Sequence, residues 1–436
     1  MTSVLPPGPT GKWRSTWSIV RNPREALEGW VRSYGDPFLV PTLNGPVVIT
    51  GRSELIREIF GRDPSLYDPF ATPALSPILG QGSMLVMGGE THRRERKLVM
   101  PMFHGDRMRA YGQAMQQIAM TKLDDCLARG TVISTLDLMS SISLEVIVRT
   151  VFGVSHRQMS ESIMDAIRKV VRKTNPILFF STKTHFSFLG LSPWDRFQAA
   201  RLRLRKLFNE LYEQRQQNPT DGEDIFSMMT AARYEDGESI TRDHLREELM
   251  TFLLAGHETS AIAMTWAIYH LHTNPAVLET LREELRTLPD RSFASLAAAP
   301  YLKAVVQETL RIHPIVTEVL RKLRTPMSLG EWTIPAGFAV APATVLAHYN
   351  SAAYPDPDAF QPERFLERSY SPFEYFPFGG GHRRCIGAAF ASYEMAIVLG
   401  TILGEHAWEL VDKVQVTPSR RNLTMGPSTQ VPIRKM

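Results

Sequence analysis

Cysteine is almost missing from this chain, which has only 2 cysteines among 436 residues. Cys126 and Cys385 lie far apart in the sequence. They cannot form the dense set of disulfides that stabilises small secreted proteins. A reducing cytoplasm is the simplest compartment for such a chain, so we expect a cytoplasmic protein without a disulfide framework.

Long apolar runs, linkers and repeats are missing as well. No stretch of roughly 18 apolar residues, the length that crosses a bilayer, occurs in the sequence. The N-terminal MTSVLPPGPTGKW lacks the apolar region of a signal peptide. Without a linker or a fixed repeat, we expect a single domain over residues 1–436 and no membrane span. Pro6, Pro7 and Pro9 predict an irregular segment over residues 1–20.

Neither sign of charge dominates the composition. The formal net charge is +4, with 43% hydrophobic and 22% charged residues, as in an ordinary globular protein. Nucleic-acid binding needs a concentrated basic stripe and a recognisable module, and the sequence offers no such module. We expect a monomer that binds no nucleic acid.

The remaining pattern is mainly helical. Thr241 through about Thr273 has continuous helical character and would be about 50 Å long. Asn22-Pro23 begins another helix, and Asn44-Gly45 predicts a hairpin turn. Residues 62–89, rich in Pro, Gly, Ser and Met, indicate a long loop. The predicted fold class is mainly α with small β-sheets (α+β), with further helices at 52–60, within 89–239 and at 386–403, and strands at 38–43, 47–50, within 322–347 and in the C-terminal tail.

The segment with the most chemistry is Phe378-Gly-Gly-Gly-His-Arg-Arg-Cys385-Ile-Gly387. Cys385 precedes a predicted helix, whose free N–H groups and dipole favour a thiolate. The glycines allow a tight turn beneath a flat cofactor, and a shielded thiolate suits haem iron. By itself, however, a cysteine at a helix start is more often an inert buried side chain.

This segment resembles the haem-binding loop of the cytochrome P450 superfamily, F-x-x-G-x-R-x-C-x-G. Glu308-Thr-Leu-Arg311 is similar to the family's E-x-x-R, in which an i,i+3 spacing places both side chains on one helix face. Pro362-Glu-Arg364-Phe is similar to its P-E-R-F. The resemblance extends from Gly35-Asp36 to Met425. It implies the P450 fold, a Cys385-ligated haem b, and a buried network of Glu308, Arg311 and Arg364.

Ala255-Gly256-His-Glu258-Thr259-Ser is similar to the family's A-G-x-[DE]-T-[ST] in the middle of the long helix. The Thr259 hydroxyl can bond back to a carbonyl one turn earlier and loosen the helix, and Gly256 allows close approach of oxygen. The resemblance implies that Glu258 and Thr259 relay the protons that O–O cleavage consumes. The alternatives are that Thr259 only shapes the helix and that Glu258 is a solvated or ion-paired acid.

The resemblance also implies cations for the two haem propionates. His92 and Arg96 lie four residues apart on a predicted helix and share a face, although the family often has Trp at the first position. Arg321 and Arg383 occupy the family's other two propionate positions, where arginine can pair with carboxylates bidentately. Lys322 and Arg324 are alternatives to Arg321, and a solvated basic face is the alternative for the whole set. The remaining expected cofactor-binding residues are Phe378, Gly379, Ala255, Gly256 and Gly387.

The implied function is that of a soluble, bacterial-type monooxygenase, which inserts one atom of O₂ into an organic substrate. Electrons from NAD(P)H would arrive through a ferredoxin and a ferredoxin reductase, since no redox module is fused to the chain. Arg93, Arg94 and Lys97 are expected to face outwards and to bind the acidic donor. Three alternatives stay open. A peroxide-driven relative would lack the pair Glu258-Thr259, a relative that rearranges an oxidised substrate would tend to lose Thr259, and a haem sensor would need no proton relay.

The substrate cannot be identified from the sequence. The expected pocket residues are mostly apolar, which suits a lipid, terpenoid, steroid or polyketide of secondary metabolism, although any protein core would supply the same residue types. Glu318 is an unusual acid in this set, and contacts with the substrate, with the haem edge and with solvent all stay open for it. The expected pocket residues are Leu79, Met84, Phe180, Phe252, Val316, Val319 and Met425.

Overall fold

The computed structural model describes residues 5–70, 72–103, 105, 107–153, 157–174, 178, 184–217, 222, 224–411 and 415–436. Helices dominate this part of the chain, as the composition and motifs predict. The α-helices are α1 (Lys12–Arg21), α2 (Pro23–Tyr34), α3 (Ser53–Gly61), α4 (Thr72–Leu79), α5 (Gly89–Val99), α6 (Arg107–Leu127), α7 (Thr135–Phe152), α8 (Arg157–Lys173), α9 (Pro193–Gln217), α10 (Ile225–Ala231), α11 (Arg242–Thr273), α12 (Pro275–Thr287), α13 (Phe293–Ala298), α14 (Pro300–Ile312), α15 (Thr344–His348), α16 (Arg364–Glu367) and α17 (Ala388–Glu405).

Short strands form four small sheets. A five-stranded sheet has the order β1-β2-β8-β5-β3, in which β2 and β8 are parallel and the other pairs antiparallel. A three-stranded sheet has the order β4-β12-β9, and β6-β7 and β10-β11 form hairpins. The strands are β1 (Phe38–Thr42), β2 (Gly45–Thr50), β3 (Tyr67–Asp68), β4 (Val132–Ser134), β5 (Arg321–Leu323), β6 (Met327–Leu329), β7 (Trp332–Ile334), β8 (Ala339–Pro342), β9 (Trp408–Leu410), β10 (Pro418–Arg421), β11 (Thr424–Pro427) and β12 (Pro432–Lys435).

The long helix α11 crosses the middle of the protein. The Thr241 hydroxyl caps its first turn by accepting a hydrogen bond from the backbone N–H of His244, and Asn274 ends it before the proline that begins α12. The helix packs along α7, α14 and α17. Because it is buried on several sides, it is apolar for most of its length.

Helix α17 follows the cysteine segment and also lies in the core. Among the helices in the described ranges, it alone is long and apolar enough to cross a membrane, and 67% of it is buried inside the protein. Buried core helices commonly have this composition.

Three predicted irregular or extended regions contain helices. The segment over residues 1–20 includes most of α1, because the three prolines precede Gly11, where the helix begins. The predicted loop over residues 62–89 contains β3 and α4, and Pro77 lies inside α4. The predicted strands over residues 322–347 end in α15. In the first two regions, the prolines led us to predict irregular backbone over residues that are helical.

Candidate haem site

The cysteine segment folds as a tight loop between a 3-10 turn (Gly381–Arg383) and α17. The backbone N–H of Cys385 donates to the carbonyl of Phe378 at 2.9 Å, and the N–H of Gly379 donates to that of Phe376 at 2.9 Å. Gly379 and Gly381 have φ of 68° and 63°, a conformation that only glycine adopts readily. Two glycines are therefore required by the turn itself.

The same loop lies directly on α3. A Cβ atom on Gly380 would be 2.3 Å from the ring of Phe60, and one on Gly381 would be 2.7 Å from the Phe60 carbonyl oxygen. A Cβ atom on Gly387, in contrast, would meet no protein atom within 4 Å. The loop can approach α3 this closely only because side chains are missing at residues 380 and 381.

The thiol of Cys385 is accessible, yet protein on most sides of it raises its pKa by desolvation. Three groups act in the opposite direction, namely the backbone N–H of Gly387 and the guanidinium groups of Arg96 and Arg384. An accessible sulfur beside an N–H donor and two cations is the environment that stabilises a bound thiolate. Burial also raises the pKa of the Cys126 thiol, and there the lowering effects of Arg129 and Lys122 are opposed by the acids Asp125 and Asp137.

Next to this sulfur lies a group of buried and half-buried basic residues, which we call the cation cluster: the three arginines Arg96, Arg321 and Arg383, with the imidazole of His92 among them. Burial is the main cause that lowers the pKa of Arg321 and of Arg383 to about 10 and that of His92 to about 3. Burial also lowers the pKa of Arg96. His92 is therefore neutral at physiological pH and can donate a hydrogen bond.

The cation cluster has hydrogen bonds but no anion. Arg321 donates to the carbonyls of Leu320 and Gly380 at 3.0 and 3.2 Å, and Arg383 donates to that of Met87. Across the described part of the chain, none of the three arginines forms an ion pair. Buried guanidinium groups need a counter-charge, and two carboxylates next to a thiolate-bound iron would supply it. The residues present fit a haem.

The alternatives to Arg321 lie elsewhere. Lys322 is exposed. Arg324 is also exposed and pairs with Asp68 at 2.6 Å. Only Arg321 of the three points into the buried cluster, so the structure favours it among the three candidates.

The middle of α11 carries the predicted acid and alcohol. The Thr259 hydroxyl donates to the carbonyl of Ala255 at 2.8 Å and approaches that of Gly256 at 3.4 Å, which is the back-bonding that the sequence predicts. Ala255 is exposed although it lies in the middle of a core helix. Burial raises the pKa of the Glu258 carboxyl, against the opposing effects of Arg421 and Asn422 on the β10-β11 turn.

Two residues of this helix contact neighbouring elements closely. A Cβ atom on Gly256 would be 3.0 Å from the side chain of Ile147, so this glycine lets α7 pack closely. The ring of Phe252 is buried and packs edge-on against Phe103 at 5.4 Å. Leu254 is half-buried beside the exposed Ala255; Ala255 was predicted from its motif, whereas Leu254 was not singled out from the sequence, although it lies only five residues before Thr259.

Glu308, Arg311 and Arg364 form a buried network. Arg311 binds Glu308 with two hydrogen bonds of 2.6 and 2.9 Å, and Arg364 donates to the same carboxylate at 3.2 Å. Arg311 also donates to the carbonyls of His348, Pro357 and Ala359. The structure thus brings together the three residues that the motifs single out, and it surrounds their charges with partners.

His348 links this network to the cysteine loop. Its Nδ1 lies 3.2 Å from the Arg311 carbonyl, and its Nε2 accepts from the backbone N–H of Phe376 at 3.0 Å. Burial lowers the pKa of His348 to about 3, which keeps Nε2 free to accept. No sequence signal marked this histidine, because its role depends on two segments that meet only in the fold.

The basic face of α5 is partly covered. Arg94 binds Asp236 and Glu238 at 2.7 and 2.8 Å, and Lys97 binds Glu235. Both side chains are exposed, so they face outwards as predicted, but each of them is already paired with these acids. Arg93 is 79% exposed and approaches Glu90 at 3.8 Å.

The predicted pocket residues fall into two groups. Leu79, Met84 and Met425 are buried, whereas Val316 is 44% exposed and Val319 is half-buried close to Gly379. Phe180 lies outside the described residues.

Glu318 is enclosed near these residues. One of its oxygens accepts from Thr317 at 2.7 Å, and the other is buried without a partner in the described residues. Burial raises the pKa of Glu318, and Arg420 is the nearest opposing charge.

The sequence comparisons show the family, and the structure comparison shows the fold. The family model "Cytochrome P450" matches residues 6–432. Cytochrome P450 138 of Mycobacterium bovis is 32% identical, with 92% of this chain and 89% of the relative covered. Cytochrome P450 135A1 of Mycobacterium tuberculosis is 30% identical over 98% of this chain and 94% of that protein. A retinoic-acid-bound cyanobacterial CYP120A1 has the same fold, with a TM-score of 0.89, 23% identity and 100% of both chains covered.

The thiol at the start of α17, the family match across almost the whole chain and the shared fold lead to one conclusion. This chain belongs to the cytochrome P450 family, and it is a haem-thiolate monooxygenase.

Proposed function

We propose that this protein hydroxylates or epoxidises an apolar organic molecule with one atom of O₂. In this proposal Cys385 ligates a haem b, and NAD(P)H supplies the electrons through a separate ferredoxin and ferredoxin reductase. The observation that carries the proposal is the position of Glu258 and Thr259 on α11, where the exposed Ala255 opens the helix surface beside them. A peroxide-driven enzyme, a rearranging enzyme or a haem sensor would not need this pair.

The chain's own residues would hold the cofactor at two places. Cys385 would ligate the iron through its sulfur, with Gly387 and Arg96 stabilising the negative charge of the thiolate. Arg96, Arg321 and Arg383 would bind the propionates, with His92 as a neutral donor. When bound, a thiolate-ligated haem activates dioxygen and favours cleavage of the O–O bond.

Proton delivery is assigned to Glu258 and Thr259. The raised pKa of the Glu258 carboxyl lets it hold a proton closer to neutral pH than an exposed glutamate does. Thr259 is oriented by its bond to the Ala255 carbonyl, and its oxygen can accept one hydrogen bond while donating another. Glu258 thus supplies the proton, and the hydroxyl of Thr259 passes it towards the pocket.

The substrate in this proposal is an apolar molecule with one polar group. Val316, Val319 and Leu254 provide partly exposed apolar surface. The unpartnered oxygen of Glu318 would be satisfied by a hydroxyl or an amine of the substrate.

The donor surface is proposed on α5 and the cysteine loop, where Arg93 and Arg384 are exposed. Carboxylates of residues 235–238 already bind Arg94 and Lys97. An acidic ferredoxin would have to displace them, so we expect Glu235→Gln to increase the rate of electron delivery.

The test is turnover with ¹⁸O₂ and a surrogate ferredoxin system. Substrates are first selected by their shift of the Soret band, and the product is then examined for one atom of ¹⁸O. Product that forms only with added peroxide would favour the peroxide-driven alternative. In parallel, Cys385→Ser should abolish the red-shifted band of the reduced carbonyl complex, and Cys126→Ser should leave it intact.

A further inference from the structure

The N-terminal helix α1 exposes two tryptophans. The side chains of Trp13 and Trp17 are 70% and 67% exposed. The chain has 7 tryptophans, and the other five are buried or half-buried. Exposed tryptophans are costly in water, since each ring can bury about 150–250 Å² of surface, so a pair on one helix indicates a surface that something covers.

The two rings lie on the outer face of the helix. Trp13 and Trp17 are four residues apart, which places them on one face of the helix. Ser15 is buried, and Ile19 packs against the core on the opposite face. The tryptophans therefore cannot turn inwards without unseating the helix.

The helix is also held in place at its middle and at its C-terminal end. Thr16 accepts a hydrogen bond from the backbone N–H of Leu43 at 3.1 Å. Arg420 donates to the carbonyls of Ile19 and Val20 at 3.2 and 3.3 Å, at the end of the helix. α1 thus displays its outer face from a fixed position.

The charge around this face has one sign. Lys12, Arg14 and Arg21 are exposed, and none of them forms an ion pair within the described residues. The sequence has no acidic residue before Glu25. A face of two tryptophans with three free cations and no acid is complementary to an anionic partner.

We propose that α1 docks the protein reversibly on an anionic lipid surface. Trp13 and Trp17 would enter the headgroup region, where tryptophan is favoured, and Lys12, Arg14 and Arg21 would contact lipid phosphates. Two side chains on a convex helix offer far less than the roughly 800 Å² per partner that a stable protein interface buries, which argues against a second copy or a protein partner.

The experiment is co-sedimentation of the haem-loaded, full-length protein with vesicles. We expect binding to phosphatidylcholine vesicles that contain phosphatidylglycerol, and little binding to phosphatidylcholine alone. Tryptophan emission should move to shorter wavelength on binding, and high salt should release the protein, because exposed charges are screened.

The double variant Trp13→Ser/Trp17→Ser should bind at least about tenfold more weakly and lose the emission shift. Replacing Arg14 and Arg21 with Gln should weaken binding by about fivefold per cation. Leu366→Ser is the control, because Leu366 is 52% exposed on α16; this variant should bind like the unmodified protein.

Three results would overturn the proposal. The first is absence of binding to the anionic vesicles, and the second is equal binding by the double tryptophan variant. The third is a dimer in sedimentation that the double variant loses while vesicle binding is unchanged, which would make a second copy the occupant of this face.

Discussion

Two buried charged regions of this protein differ in how their charges are balanced. The network of Glu308, Arg311 and Arg364 combines two cations with one carboxylate, and backbone carbonyls receive the remaining N–H groups. The cation cluster around Arg321 and Arg383 has carbonyl partners but no carboxylate in the described residues. In the first region the protein itself supplies the carboxylate, whereas in the second an anionic ligand has to supply it.

This difference separates a structural use of buried charge from a binding use. Removing one partner from a balanced pair leaves an uncompensated buried charge and destabilises the fold. Removing a cation from an unbalanced cluster relieves repulsion and weakens only the binding of its ligand. The two regions should therefore respond differently to the same kind of substitution.

The largest effect is expected in the balanced network. Arg311→Ala removes the closer partner of the buried Glu308 carboxylate and leaves three backbone carbonyls without their donor, which should lower the free energy of unfolding by about 3–5 kcal/mol. Arg434→Ala is the control, since its pair with Glu409 is about half exposed, and it should cost less than about 1 kcal/mol. Urea unfolding measures both. Equal effects would erase the distinction between buried and exposed pairs.

The next largest effect is expected on the pH dependence of stability, from Glu248, a buried acid. Burial raises the pKa of Glu248 from 4.5 to about 8. Because the folded state holds this proton more tightly than the unfolded state, its stability is full below about pH 4.5 and falls as the pH rises towards about 8. Glu248→Gln keeps an acceptor for the backbone N–H of Met84 and should flatten this decline. The same change at the exposed Glu367 should leave the pH profile as it was.

A substitution in the cation cluster should change the rate of haem dissociation. Arg321→Leu removes a charged hydrogen-bond donor worth about 1.5–3 kcal/mol, so haem should dissociate at least about tenfold faster. Transfer of haem to an apoprotein acceptor measures the rate. Lys322→Leu, one residue away at the surface, is the control. A lower free energy of unfolding with unchanged haem transfer would place Arg321 with the structural network instead.

The smallest effect is expected for the Thr259 hydroxyl, which we propose passes a proton during turnover. Thr259→Ala should still bind haem and substrate, yet productive turnover should fall at least tenfold, or about 1.4 kcal/mol of barrier. Peroxide should rise as product per NAD(P)H falls. Glu258→Gln should slow turnover with less peroxide, because the hydroxyl is retained. Unchanged coupling in Thr259→Ala would leave this residue with the back-bond to Ala255 as its only role.

Much of the fold was predictable because local signals agreed. The Thr241 cap and the Asn274-Pro275 boundary fixed the long helix to within a residue, and Asn44-Gly45 marked the turn between β1 and β2. α1 was missed because Pro6, Pro7 and Pro9 indicated irregular backbone over residues 1–20, whereas these prolines end before the helix begins at Lys12.

Residues of the site could be predicted where a sequence motif contains them. They could not be predicted where their role depends on contacts that form only in the fold. The three members of the charge network were named from their motifs. His348 was not, because the loop that it supports lies 28 residues away. The contact of Phe252 with Phe103 was not predicted either, since the sequence does not show which neighbouring element each face of α11 meets.

The glycines of the cysteine loop have a consequence for mutational tolerance. At residues 380 and 381 the protein itself occupies the space of a side chain, through Phe60. A saturation screen scored on folding alone should reject every substitution there. At residue 387 the protein leaves that space open. Substitutions at 387 should therefore pass a folding screen. A substitution there that folds but fails a screen for haem content would show where the haem itself occupies the space.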